Sequence, residues 1–159
     1  RKAEADDSLY FVPAFTGLGA PYWNSEAKGA LTGITRTTRK AEMVRAGVEC
    51  IAYQIADVVN AMSQDAKTEI QELRVDGGPT RNQYLMQFQS DILDRKVLVP
   101  DAEELSGIGA AYAAGRGLGL YGDEVFTRLK RQEYMPKMGE DTRVRKYEGW
   151  KDAVKSVLK

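Results

Sequence analysis

Apolar positions along the chain fall into short alternating runs and longer stretches of period three to four, separated by glycine and proline joints. Leu9-Tyr10-Phe11-Val12 is aromatic, brief and closed by Pro13, which predicts a strand. Gly29-Ala30-Leu31-Thr32-Gly33-Ile34 alternates small or polar with apolar residues and predicts a second. Between them, the glycines and proline of Phe15–Trp23 forbid a regular helix, while Phe15, Tyr22 and Trp23 call for burial. An ordered loop pinned by its rings is expected there.

The clearest helix is expected from about Arg39 to Met62. Met43, Gly47, Cys50, Ile51, Ile55, Val58 and Met62 recur at steps of three and four and mark one stripe, the expected core face. Such a helix is roughly 36 Å long, enough to cross a sheet. Cys50 lies on the stripe and is expected to be a small buried hydrophobe.

Beyond a polar connection, Leu73-Arg74-Val75 predicts a third strand that runs into Asp76-Gly77-Gly78-Pro79-Thr80. A helix from roughly Thr80 to Leu93 would bury Leu85, Phe88, Ile92 and Leu93. Val97-Leu98-Val99, closed by Pro100, predicts a fourth strand, and Leu105–Leu118 a helix of small residues that another backbone should approach closely. Shorter helices are expected near Asp123–Arg131 and Tyr147–Leu158. The last would dock through Tyr147, Trp150, Val154 and Val157. Strand, helix, strand, helix is the order of an α/β layer with parallel strands.

Composition narrows the chemistry. With 159 residues one domain is expected, and 23 Lys and Arg against 23 Asp and Glu give no net pull toward nucleic acid or an anionic membrane. The single cysteine rules out an internal disulfide framework and fits a reducing compartment. The absence of histidine removes His-based zinc sites and Ser-His-Asp or Cys-His catalysis. No apolar run reaches the length of a membrane span, and no metal site is expected.

The strongest local pattern is Asp76-Gly77-Gly78 followed by Asn82. A strand that ends in paired glycines and turns into a helix directs backbone N–H groups outward at the helix's positive end. Gly77 and Gly78 lack a Cβ, so a phosphate or ribose could touch the backbone. Asn82, one turn after Gly78 on the same helical face, could donate and accept. That arrangement suits a nucleotide; it equally suits a tight turn that needs glycine for geometry. Asp76 is expected to cap the following helix or shape the turn. The basic stretches Arg36–Lys40 and Arg143–Lys146 read as solvated faces.

Val12-Pro13-Ala14-Phe15-Thr16-Gly17-Leu18-Gly19-Ala20-Pro21-Tyr22-Trp23 resembles a stretch of the glycerol-kinase branch of the FGGY carbohydrate kinases. Gly29–Ile34 followed by Glu42-Met43-Val44-Arg45-Ala46-Gly47-Val48-Glu49 is similar to that family's second signature, with Gly47 where a side chain is usual. Asp76-Gly77-Gly78, Asn82 and Leu85–Leu93 resemble its adenosine-binding motif, and Gly109–Gly115 the helix that follows it. The likeness runs from about Leu9 to the end.

The resemblance implies an α/β, ribonuclease-H-like (actin-like ATPase) C-terminal kinase domain, incomplete and missing its opening strands, with residues 1–159 forming the C-terminal part of the second kinase domain. It implies transfer of a phosphoryl group from ATP, with Mg2+, to glycerol, in a cytoplasmic and homo-oligomeric enzyme. Gly78 would contact the phosphate and ribose side of the nucleotide, Gly77 would supply the close turn, and Asn82 would face the adenine. The small-residue helix near Gly109 would belong to the connection about which two domains close. The family's catalytic aspartate lies in a Gly-Asp-Gln motif, which does not occur here, so no catalytic residue is expected in this chain and turnover by it alone is not expected. The alternatives are a kinase of another polyol or sugar, or a non-catalytic nucleotide-binding or interaction module.

Overall fold

The computed structural model describes residues 8–101, 105–127 and 130–158. Strand β1 (Tyr10–Val12) pairs antiparallel with β2 (Ala30–Thr32), in the register Phe11 opposite Leu31. Helix α1 (Lys40–Ala66) leads to β3 (Glu72–Arg74), α2 (Gln83–Leu93) and β4 (Lys96–Pro100). Helix α3 (Leu105–Gly117), strand β5 (Arg131–Tyr134) and helix α4 (Glu140–Lys155) complete the order. β3 and β4 run parallel, as the strand–helix–strand pattern requires. Among the described residues the β1–β2 ribbon and the β3–β4–β5 sheet share no hydrogen-bonded strand pair.

Four expected strands are present, and β5 is a fifth that the pattern did not mark. Its sequence, Arg131-Gln132-Glu133-Tyr134, buries only Tyr134. A polar strand at a sheet edge carries no apolar alternation to read. The helix expected over Asp123–Arg131 is accordingly a 3-10 turn over Asp123–Thr127, which ends before β5. Helix α4 begins seven residues before its expected start. Glu140 and Asp141 occupy its first turn, where carboxylates favour the positive end of the helix dipole. The basic stretch inside it is not simply solvated. Arg143 pairs with Asp94 at 2.9 Å, and Lys146 is buried with its ammonium 5.6 Å from the Phe88 ring centroid.

The core face of α1 differs from the apolar stripe. Glu42, Ala46, Glu49, Cys50, Ala52, Tyr53, Ala56, Asp57 and Val59 point inward, whereas Met43, Ile51 and Met62 are exposed. Alanines let α2 and β1 come close, and the inward carboxylates meet donors distant in sequence. Glu49 accepts from the Tyr84 hydroxyl on α2. Cys50 is the one residue of the expected stripe that is buried. Burial pushes its thiol up from 9.0 to about 11, in keeping with a packing role.

Tyr53 stands at the centre of the core. It stacks on Trp150 of α4 with ring centroids 5.2 Å apart and meets Phe88 of α2 edge-on at 5.4 Å. Each such pair adds about 0.5–1.5 kcal/mol beyond area burial. Beside it, Asp57 accepts from Trp150 Nε1 at 2.7 Å, the Tyr147 hydroxyl at 2.7 Å and the Tyr22 hydroxyl at 2.8 Å. One buried carboxylate thus joins α1, α4 and the loop after β1. Burial, reinforced by this carboxylate, holds both tyrosine hydroxyls well above the ordinary tyrosine value.

Of the three loop aromatics, Tyr22 alone anchors by a buried partner; Phe15 and Trp23 are each 79% exposed. The small-residue helix also departs from expectation. Only Gly115 of α3 is buried, against Tyr121, and a Cβ on Gly107 or Gly109 would meet nothing within 4 Å. No described backbone packs closely on that face.

Candidate functional site

The turn after β3 starts from a ladder that runs one residue past the strand, since Val75 N–H donates to Leu98 O at 3.1 Å. Asp76 follows, exposed. Gly77 then adopts φ 92°, ψ 176°, a region open essentially to glycine. Gly78–Arg81 forms a 3-10 turn with Pro79 near its start, where a missing N–H costs nothing. Thr80 closes the turn on Gly77 O, through its N–H at 3.1 Å and its hydroxyl at 2.7 Å. That tie went unread in the sequence, although a threonine three places after a turn glycine is a known local hydrogen-bonding pattern.

Asn82 is the N-cap of α2. Its Oδ1 accepts from Leu85 N–H at 3.2 Å, and its carbonyl accepts from Met86 N–H at 3.0 Å. Gly78 and Asn82 therefore do not share a helical face as expected. They flank a break between a 3-10 turn and an α-helix, because the cap residue must be extended. Asp76 caps neither helix; that role falls to Asn82. The structure does bring Gly77, Gly78 and Asn82 within one turn of chain, all exposed.

This turn lies at the carboxyl end of parallel strand β3, the edge of an open α/β sheet where ligands characteristically bind. β4 ends at the same edge and leads toward the start of α3. The α2 N-terminus supplies outward N–H groups there. A Cβ on Gly78 would meet nothing within 4 Å, so its backbone is open to close approach. The cap uses the oxygen of the Asn82 amide and leaves Nδ2 to donate outward.

The site is a wall rather than an enclosure. Neither a cavity of about 540 Å³ beside β1 and β2 nor one of about 270 Å³ between α1, α2 and α4 is lined by Gly77, Gly78 or Asn82. Among the described residues, no group of three or more Asp, Glu, Cys or His could hold a metal ion. No helix among them is long and apolar enough to cross a membrane.

An α/β layer with a glycine turn at the carboxyl edge of a parallel strand defines the class, and comparison with known proteins gives the family. Residues 1–118 match the C-terminal domain of the FGGY family of carbohydrate kinases, and the chain belongs to that family. It is 46% identical over 159 residues to a glycerol kinase of Staphylococcus haemolyticus, and 49% identical over 160 residues to one of Thermococcus kodakarensis. These alignments cover 98% and 99% of this chain and 32% of each relative, so the chain spans about a third of their length. The structure of Plasmodium falciparum glycerol kinase with ADP superposes with a TM-score of 0.86 at 34% identity, over 96% of this chain and 31% of that one. The α/β fold expected from the sequence, ribonuclease-H-like and actin-like, is the one this chain shares.

Proposed function

We infer that this chain supplies the nucleotide-binding wall of an ATP-dependent glycerol kinase. The observation that carries the reading is the open Gly77–Gly78 turn at the α2 N-terminus, in a chain 46% and 49% identical to two glycerol kinases. A glycerol kinase of the same fold has been solved with ADP.

Within that reading the residues divide the work. Gly77 holds the backbone in the one conformation that turns the chain back on itself, and Gly78 lets a phosphate or ribose reach the main chain. Asn82 fixes the start of α2 with its oxygen and offers Nδ2 to the base. Outward N–H groups at the helix start favour negative charge. Phosphoryl transfer rests on positioning and charge stabilisation, to which Mg2+ on the nucleotide's phosphates would contribute. This chain offers no carboxylate cluster for the metal, and no residue of it is assigned as the base that accepts the glycerol proton. Residues 1–159 act as part of the second kinase domain, in a cytoplasmic enzyme that self-associates.

The test is a coupled assay of the longer polypeptide carrying this sequence, with glycerol, xylulose and gluconate in parallel, beside the 159-residue chain. Turnover of glycerol by the longer polypeptide and none by the chain is expected. Preference for another polyol or sugar overturns the substrate, and turnover by the chain overturns the placement of the base outside it.

A further inference from the structure

The stripe that the sequence marks as the core face of α1 lies on the opposite side of the helix from the core. Met43 is 42% exposed, Val44 57%, Ile51 38% and Met62 55%, while Val48, Ile55 and Val58 are half-buried. Between Lys40 and Asp65 this outer face carries no charge, and Gln54 is its polar exception. A helix apolar on both sides is a helix covered on both sides. We propose that the outer face of α1 docks on the same face of a second copy of this chain, the two helices antiparallel about a two-fold axis.

The order of residues along the stripe favours a copy of itself. At 100° per residue, Lys40, Gly47, Ile51, Val58 and Asp65 share one side of the helix within a narrow arc. Lys40 and Asp65 are exposed at its two ends, and neither forms an ion pair with another described residue. An axis level with Ala52 and Tyr53 sets Lys40 of each copy against Asp65 of the other, giving two symmetric charge pairs. The same axis sets Met43 against Met62, Gly47 against Val58 and Ile51 against Gln54. Gly47 has nothing within 4 Å of where a Cβ would stand, so a larger side chain has room to enter there. Self-complementarity of this kind is what a two-fold interface requires. A parallel copy would place Lys40 on Lys40 and Asp65 on Asp65.

A stripe of this size buries roughly 700 Å² over both copies, at the small end of interfaces, so the dimer is expected to dissociate at about micromolar concentration. Sedimentation of the purified protein across that range reads it directly. A reversible dimer is expected, with Ile51→Arg raising the dissociation constant at least about 100-fold at unchanged melting temperature. Lys40→Glu should weaken the dimer, and Lys40→Glu with Asp65→Lys should restore it. Oxidation supplies a check independent of folding. Met43→Cys mixed with Met62→Cys should form disulfide heterodimers, and either variant by itself far fewer. A monomer throughout the range, a dimer indifferent to Ile51→Arg, or cross-linking without the Met43–Met62 preference overturns the proposal. So does unfolding by Ile51→Arg, which would show that the same polypeptide covers this face.

Discussion

Trp150 Nε1 donates to Asp57 Oδ2 at 2.7 Å across 93 positions of sequence, and this bond docks α4 on α1. Two tyrosine hydroxyls complete the carboxylate's shell. Asp57→Ala would strand three part-buried or buried donors, each costing about 1–3 kcal/mol when left without a partner. A loss of at least about 3 kcal/mol is expected in urea unfolding. Tyr22→Phe should cost about 1 kcal/mol in the native background and nothing in Asp57→Ala. A loss below 1 kcal/mol for Asp57→Ala would show that water replaces the carboxylate.

Alkaline pH should unfold the protein in two stages. A group whose folded value is raised contributes stability that is complete below its unfolded value and is lost as pH climbs toward the folded one. For Cys50 the window is therefore from 9.0 to about 11. Tyr22 and Tyr147 add a further loss beginning above 10.0. The unfolding free energy, by urea titration at each pH, should stay level in these terms up to pH about 9. Cys50→Ala should remove the decline that precedes tyrosine ionisation; an unchanged slope would assign it elsewhere.

Substitutions at Asn82 should separate capping from binding. Asn82→Asp keeps an oxygen for Leu85 N–H but loses the Nδ2 donor. Its melting temperature should hold while ADP affinity falls about tenfold, as expected for a lost hydrogen bond. Asn82→Ala should lose about 1 kcal/mol of stability as well. Equal ADP affinity in all three proteins would confine Asn82 to the cap.

The two glycines should likewise divide. Gly77→Ala forces a side chain into φ 92° and should cost about 1–3 kcal/mol, seen as a lower melting temperature. Gly78→Val puts bulk into open space, so stability should change little while ADP binding weakens. The opposite pattern would mean that Gly78 serves the turn and Gly77 the ligand.

Local pattern revealed the elements with one wet face. α2 buries Leu85, Phe88, Ile92 and Leu93 as its spacing demands, and α4 buries Trp150 and Val154. It misjudged α1, whose inward face carries Glu42, Glu49 and Asp57. A carboxylate reads as solvent-facing until its donor is known, and the donors here are 35 to 93 positions away. β5 stayed hidden because an edge strand needs no apolar alternation. At the site, the glycine pair and Asn82 were legible by type, but the cap was not. Whether an asparagine near a helix start lies on the helix or ends it depends on one ψ angle, which here is 96°.

The central claim is that the turn from Gly77 to Asn82 meets the nucleotide. The most direct measurement is an NMR titration of the isotope-labelled chain with ADP, following the Gly77 and Gly78 amides and the Asn82 side-chain NH2. Saturable shifts concentrated at these three residues and the first turn of α2 are expected, and Gly78→Val should abolish them. Saturable shifts that fall elsewhere, or none at millimolar ADP, would contradict the account.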